Sequence, residues 1–319
     1  MTENYQQLMQ MLRPAAVRRR ARERMGQTRP AFWVVALVVL VLTSLIPNAV
    51  TGLCPAVTAG GDISGPGLFL YILMNLFAWI ITFGFVWWSL DCSDGLRGEY
   101  APGIHTLFNG FSMVTGVLLL EVNLAARMLL WSLAISVPVS LLTVMTVLWS
   151  GSVNSLYVLA VIASLGLCYA VSLRYALARY LYIEQPEEER SVSRAIRDSV
   201  GLMRGWKLEL FKLRLSFAGW YLLELALVVL AVLLVGFAGL VELSALWTVI
   251  RGGGVLSALG TVLAVPAAEL AVTLLPLPLN LWLTPYTNVA EAGFYRLRVQ
   301  LAQCPPPVYE HGEDDREQP

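Results

Sequence analysis

The sequence predicts an all-α fold, a multi-pass transmembrane helical bundle of about six spans with both termini in the cytoplasm. Three observations indicate it. Hydrophobic residues make up 57% of the 319 residues and charged residues only 14%, which leaves too little polar surface for a water-soluble domain. The apolar residues are gathered into long runs. Although the formal net charge is zero, the basic residues are concentrated in alternate connections between those runs.

The length of the apolar runs predicts the number of spans. A helix needs about 20 apolar residues to cross the hydrocarbon core of a bilayer, and six runs reach it. We place the spans at about residues 31–49, 67–90, 128–149, 155–176, 215–241 and 255–283, within one transmembrane domain of residues 31–302. Residues 1–30 are predicted to form a basic cytoplasmic arm. Residues 303–319, which include three consecutive prolines and an acidic end, are predicted to be a disordered cytoplasmic tail.

The distribution of arginine and lysine predicts the orientation. Basic residues are abundant before the first span, between the second and third, between the fourth and fifth, and after the sixth. Only Arg251 lies in the other connections. Because cytoplasmic connections carry the excess of basic residues, we expect the N-terminus, the second and fourth connections and the C-terminus to be cytoplasmic.

Three shorter segments are predicted to be interfacial helices on the cytoplasmic side, at about residues 104–121, 187–207 and 286–301. Counting the first of them as a seventh span would move the most basic connection outside. In the second segment, the apolar residues Val192, Ile196, Val200 and Met203 recur at helical spacing. We therefore expect this helix to lie on the inner leaflet of the membrane. Anionic lipid of that leaflet is the first predicted partner. The lipid-facing basic residues of this helix are Arg190, Arg194, Arg197, Arg204 and Lys207.

Two blocks carry a family resemblance: SVSRAIRDSVGLMRGWKLELFKLRLSFAGWYLLEL at residues 191–225 and LWLTPYTNVAEAGFYRL at residues 281–297. They resemble the bacterial membrane protein family catalogued as domain of unknown function 975. The resemblance implies a multi-pass protein of a bacterial plasma membrane and implies no activity. The matching positions are Ser199, Met203, Gly205, Lys207, Phe211, Ser216, Gly219, Trp220, Pro285, Tyr286, Phe294 and Tyr295.

Three residues of the first block have a simple physical interpretation. Ser216 and Gly219 are small enough to permit close helix packing, and Trp220 is suited to anchor a helix near the lipid headgroups. The two blocks are separated by two long apolar stretches, where the family usually has one short span.

Two carboxylates are predicted to lie inside the spans, Glu224 in the fifth and Glu269 in the sixth. Ionisable groups in a bilayer are costly and mark functional sites by default. The two could face one another in an intramembrane polar site, where a desolvated carboxylate holds its proton more readily. The alternative is a structural role, with protonated carboxyl groups hydrogen-bonded between helices.

Other site chemistry is not indicated. The four cysteines and two histidines show no metal-ligand spacing, and there is no Gly-rich phosphate loop or nucleic-acid motif. We therefore expect no catalytic set, metal, cofactor or nucleic-acid partner. Glu121 and Arg127 flank the predicted turn into the third span and are interpreted as an interfacial ion pair or as solvated groups.

Three functional hypotheses remain open. The leading one is a non-enzymatic membrane protein that acts in membrane or envelope assembly, or binds a membrane-protein partner or a second copy of itself. The second is a small proton- or ion-coupled transporter that uses Glu224 and Glu269. The third is a lipid-processing membrane enzyme, for which the candidate polar residues are Arg97, Glu99, His105 and Glu121.

Overall fold

A computed structural model describes residues 2–28, 30–54, 64–95, 102–150, 155–237 and 271–304. All regular structure in these ranges is helical, which confirms the all-α class. Two 3₁₀ segments, Ile104–Met113 and Glu187–Glu189, accompany the α-helices. The helices are α1 Thr2–Met11, α2 Pro14–Met25, α3 Phe32–Leu53, α4 Gly65–Asp94, α5 Val114–Ser150, α6 Ser155–Ser172, α7 Ala178–Glu184, α8 Val192–Leu202, α9 Lys207–Leu215, α10 Ala218–Phe237 and α11 Leu277–Gln303.

Four of the described helical stretches are long and apolar enough to cross a membrane: Phe32–Leu53, Gly65–Asp94, Ile104–Leu142 and Ala218–Val235. The count of six spans and the orientation remain predictions. Most of the predicted sixth span lies outside the described residues, which resume only at residue 271.

Local sequence accounts for the two ends of α4. Ser64 precedes the helix, and its hydroxyl accepts a hydrogen bond from the Gly67 amide at 3.3 Å, which satisfies one of the free N–H groups of the first turn. Pro66 in that turn has no N–H to leave unpaired. Gly95 ends the helix at φ +70°, a left-handed conformation that favours glycine.

The helix α11 is the centre of the packing. It contacts α1, α2, α3, α4, α8, α9 and α10. Its aromatic residues Tyr286, Phe294 and Tyr295 are all buried. The prediction of a separate helix at 286–301 is therefore wrong, because this segment is continuous with residues 277–285 and its apolar face is covered by protein. Its position at the membrane interface stays a prediction.

The N-terminal arm belongs to the same core. Val17, Ala21 and Met25 recur every four residues along α2 and are buried, where α2 packs on α11. The Arg18 guanidinium donates to the Ser216 carbonyl at 2.9 Å, and the Tyr286 hydroxyl donates to the Arg18 carbonyl at 3.2 Å. The arm is thus a packed helical element.

The predicted break before the third span is also wrong. The separate helix expected at 104–121 is a 3₁₀ segment to Met113, and α5 then runs from Val114 through residues 121–128 without a turn. The 3₁₀ segment lies tightly against α4, because a Cβ atom at Gly84 would be only 1.9 Å from the Leu107 carbonyl oxygen. Close backbone contact, rather than lipid, therefore fixes this segment.

The apolar face of α8 is turned into the protein. Val192, Ile196 and Met203 are buried against neighbouring helices that include α7 and α5. Protein therefore covers the apolar face in the described structure, and the placement of this helix on the inner leaflet stays a prediction. The basic residues Arg194 and Arg197 are exposed on the opposite side, and their contact with lipid remains a prediction.

Candidate functional site

The elements that surround α11 form what we call the packed end: α2, the second half of α4, and α7, α8 and α9. One bidentate ion pair here joins α7 to α5. The Arg179 Nε and Nη2 atoms lie 2.7 and 2.9 Å from the two carboxylate oxygens of Glu121, which is only 8% exposed. Burial disfavours the charged guanidinium, but the hydrogen bond and charge of Glu121 outweigh it and raise the pKa of Arg179. Glu121 is therefore neither a partner of Arg127 nor a solvated group, whereas Arg127 is exposed.

A second bidentate pair joins the end of α9 to α11. The Arg214 Nε and Nη2 atoms lie 2.8 and 3.0 Å from the carboxylate oxygens of Glu291. Burial again opposes the charge, and the Glu291 carboxylate outweighs it and raises the pKa of Arg214. This pair is separate from the pair of Arg179 and Glu121, with which it shares no hydrogen bond among the described residues.

A third cluster joins α4, α7 and α11. Arg296 pairs with both Asp94 and Glu184, and the Tyr295 hydroxyl donates to Glu184. The Tyr295 ring stacks on Tyr180 with centroids 5.2 Å apart. Burial raises the pKa of both tyrosines, so both hydroxyls keep their protons at neutral pH.

Arg298 is the most deeply placed cation of α11. Its guanidinium carbon lies 4.3 Å from the centroid of the Trp206 ring, and its Nη2 donates to the Leu202 carbonyl at 2.8 Å. Burial lowers its pKa. It therefore fastens the turn between α8 and α9 to α11 through a cation–π contact and a hydrogen bond.

A cavity of about 670 Å³ lies between the end of α6, the α9–α10 junction and α11. This volume is within the range of small-molecule sites. The ion pair of Arg214 and Glu291 forms part of its wall. We call this cavity the groove, and its described lining residues are Tyr169, Phe211, Arg214, Leu215, Phe217, Ala218, Tyr221, Leu222, Leu225, Thr287 and Glu291.

The structure places the family-like residues mainly in the packed end. Ser199 is buried and its hydroxyl donates to the Arg174 carbonyl at 3.0 Å, and Gly205 has φ +81° in the turn before α9. Phe211 lines the groove, and Trp220 lies 4.9 Å from Trp282 between ring centroids. Of the remaining positions, those that are buried are Met203, Pro285, Tyr286, Phe294 and Tyr295, and those that are partly buried are Lys207 and Ser216.

Gly219 corrects one interpretation. A Cβ atom built there meets nothing within 4 Å, so this glycine does not mediate close helix packing in the described structure. Ser216 acts through its backbone, since its carbonyl accepts from Arg18.

The predicted intramembrane site is only half described. Glu224 lies on α10, partly buried and one turn beyond Tyr221. Glu269 lies outside the described residues, so the shared polar pocket and the transporter hypothesis remain predictions. Of the candidates for a lipid-processing enzyme, Arg97 and Glu99 also lie outside those residues, and His105 is exposed.

The pairing of arginines with carboxylates in the packed end was not predicted from the sequence. Sequence analysis uses basic residues such as Arg179, Arg214 and Arg296 only to predict the orientation. The available clue was the set of carboxylates beside the apolar runs, Asp94, Glu184 and Glu291, because a carboxylate drawn into a core requires a basic partner. The described residues contain no group of three or more His, Cys, Asp or Glu side chains arranged to hold a metal.

The fold and the charge network define an α-helical protein with apolar helices compatible with a membrane location. Residues 11–301 match the model of the family described as "Protein of unknown function (DUF975)". The chain belongs to this family, as the resemblance in the two blocks predicted. No curated protein and no solved structure matches the chain significantly.

Proposed function

We propose that the chain is a multi-pass protein of a bacterial plasma membrane that binds a membrane lipid in the groove, without catalysis, as a component of membrane or envelope assembly. The observation that carries the proposal is the composition of the groove wall. The wall contains one charged pair and, beside it, three largely exposed leucines, Leu215, Leu222 and Leu225. A site that offers both kinds of surface fits an amphiphile.

The orientation of the groove supports a lipid from the inner leaflet. The packed end holds the basic connections that are expected in the cytoplasm, and Arg214 lies in the last turn of α9, four residues before the apolar helix α10 begins. With this orientation, the ion pair sits at headgroup level and the exposed leucines sit at acyl-chain level.

The chemistry of the described lining favours binding over turnover. Its polar side chains are Tyr169, Arg214, Tyr221, Thr287 and Glu291. Glu291 is held in two hydrogen bonds by Arg214, an arrangement that neutralises a carboxylate rather than leaving it free to act as a base.

Co-purification of lipid tests the proposal. The protein is purified in mild detergent, and native mass spectrometry counts the lipid molecules retained. We expect about one retained lipid per chain from a single groove, lost in Leu222→Trp because the indole fills the groove. Leu230→Trp, at an exposed leucine of the same helix that is not among the described lining residues, is expected to keep it. Equal retention in the two variants, or none in the parent protein, contradicts the proposal.

A further inference from the structure

We infer that the groove selects a zwitterionic phospholipid with a primary ammonium group, held by Arg214 through its phosphate and by Glu291 through its ammonium. This inference rests on the proposed lipid binding and specifies the headgroup. It departs from the sequence-based expectation of a partner leaflet recognised for its anionic charge.

The exposure of the ion pair is the first step. The Arg214 and Glu291 side chains remain 30% and 23% exposed although they are bonded to each other, and both line the groove. Each therefore presents unused hydrogen-bonding capacity to a ligand, since a guanidinium has five N–H donors and a carboxylate about four acceptor sites. A ligand in the groove meets one positive and one negative group side by side.

The neutrality of this pair determines which headgroup is favoured. A purely anionic headgroup would meet a guanidinium that is already compensated, and it would also approach the Glu291 carboxylate. Charges taken out of water without a partner are strongly penalised. A headgroup that carries both a phosphate and an ammonium satisfies both residues at once, with charge-assisted hydrogen bonds on each side.

Neutral hydroxyl groups complete the polar end of the groove. Tyr169, Tyr221 and Thr287 line the groove together with the ion pair of Arg214 and Glu291. Thr287 and Glu291 are four residues apart on α11, so they share one face of that helix. The polar groups are thus gathered where the end of α6, the α9–α10 junction and α11 meet.

The apolar wall provides the path for an acyl chain. Ala218, Leu222 and Leu225 follow one another at spacings of four and three along α10, which places them on one face. They extend over roughly 10 Å, because seven residues of α-helix rise by about 1.5 Å each. An acyl chain laid on this stripe leads away from the ion pair along the apolar helix.

Lipid competition in nanodiscs tests the headgroup. The parent protein is placed in an equimolar mixture of phosphatidylethanolamine, phosphatidylcholine and phosphatidylglycerol with matched acyl chains, and retained lipid is identified by native mass spectrometry. We expect phosphatidylethanolamine to exceed phosphatidylglycerol roughly tenfold, the effect of about one charge-assisted hydrogen bond. Phosphatidylcholine should rank below phosphatidylethanolamine, because its quaternary ammonium has no N–H to donate to Glu291.

Glu291→Gln gives the sharpest result. It leaves the Arg214 charge uncompensated, so the preference should invert in favour of phosphatidylglycerol. The double variant Arg214→Gln with Glu291→Gln should retain lipid and lose discrimination between the headgroups. Glu121→Gln is the matched control, because Glu121 belongs to a similar bidentate pair and is not among the described lining residues. It should leave the preference unchanged.

The outcomes separate this inference from the proposed function. If the parent protein retains lipid but prefers phosphatidylglycerol, or shows no preference, the headgroup inference is overturned and lipid binding stands. If Glu121→Gln inverts the preference as Glu291→Gln does, the assignment to this pair is overturned. If the parent protein retains no lipid, the proposed function itself fails.

Discussion

The two halves of α4 differ in what surrounds them, although both are strongly apolar. In the first half, Leu68, Phe69 and Ile72 are exposed. In the second half, Ile81, Phe83 and Trp88 are completely buried, against elements that include the 3₁₀ segment, α7 and α11. The side chains of the first half are mostly exposed, whereas the second half lies in the packed end.

This difference shows that hydropathy does not reveal which part of a span packs on protein. A residue that faces lipid and a residue that faces a protein core can have the same apolar side chain. In the proposed membrane, lipid covers the first half of α4 and the packed end provides the tertiary stability. The comparison can be tested by changing one residue type in both halves.

The largest expected effect comes from Phe83→Ala. Phe83 is 0% exposed, and its ring makes an edge contact with Tyr182 at 6.2 Å between centroids. Truncation removes that contact and leaves a cavity, so we expect a loss of about 3–5 kcal/mol in the free energy of unfolding. Unfolding in mixed micelles, followed by tryptophan fluorescence, measures it.

Phe69→Ala is the matched control on the same helix. Phe69 is 66% exposed, so the change should stay within about 0.5 kcal/mol, as for surface substitutions. Equal losses in the two variants would break the comparison, because they would show that the first half of α4 is also covered by protein.

The same distinction explains how far the sequence predicted the fold. Length and hydropathy predicted the helical class and the apolar helices, since those properties are local. The spacing of Val192, Ile196 and Met203 correctly indicated an amphipathic helix, but spacing alone cannot tell whether protein or lipid covers its apolar face. The continuity of α5 through residues 121–128 was missed because Glu121 and Arg127 were interpreted as charged residues that flank a turn.

The candidate site was less predictable than the fold. The partner of Glu121 is Arg179, 58 positions away along the chain, and the partner of Arg214 is Glu291, 77 positions away. Pairings at such separations depend on how the helices pack. The family-like block did include Phe211 at the groove, but it did not indicate that the groove exists.

A second prediction sharpens the comparison for charged residues. Glu121→Gln leaves the Arg179 guanidinium without its carboxylate. Breaking a buried pair costs about 3–5 kcal/mol, and because the Arg179 side chain is 40% exposed, we expect a loss of about 3 kcal/mol or less after allowing for solvent screening. Glu189→Gln breaks the exposed pair with Arg194 at 2.8 Å and should cost at most about 1 kcal/mol. Equal losses in chemical denaturation would mean that burial of Glu121 does not matter.

The smallest effect in the packed end is expected from Gly84→Ala, which adds one methyl group. The new Cβ would lie 1.9 Å from the Leu107 carbonyl oxygen, so the 3₁₀ segment must move away from α4. Overpacking of this kind costs about 1–3 kcal/mol. Gly219→Ala adds the same group in open space on α10 and should instead stabilise by about 0.5–1 kcal/mol, since alanine favours the helix. A lower thermal stability of Gly84→Ala together with a higher one of Gly219→Ala would locate the tight backbone contact at α4. An unchanged stability of Gly84→Ala would show that the 3₁₀ segment is free to shift and that the packed end tolerates rearrangement there.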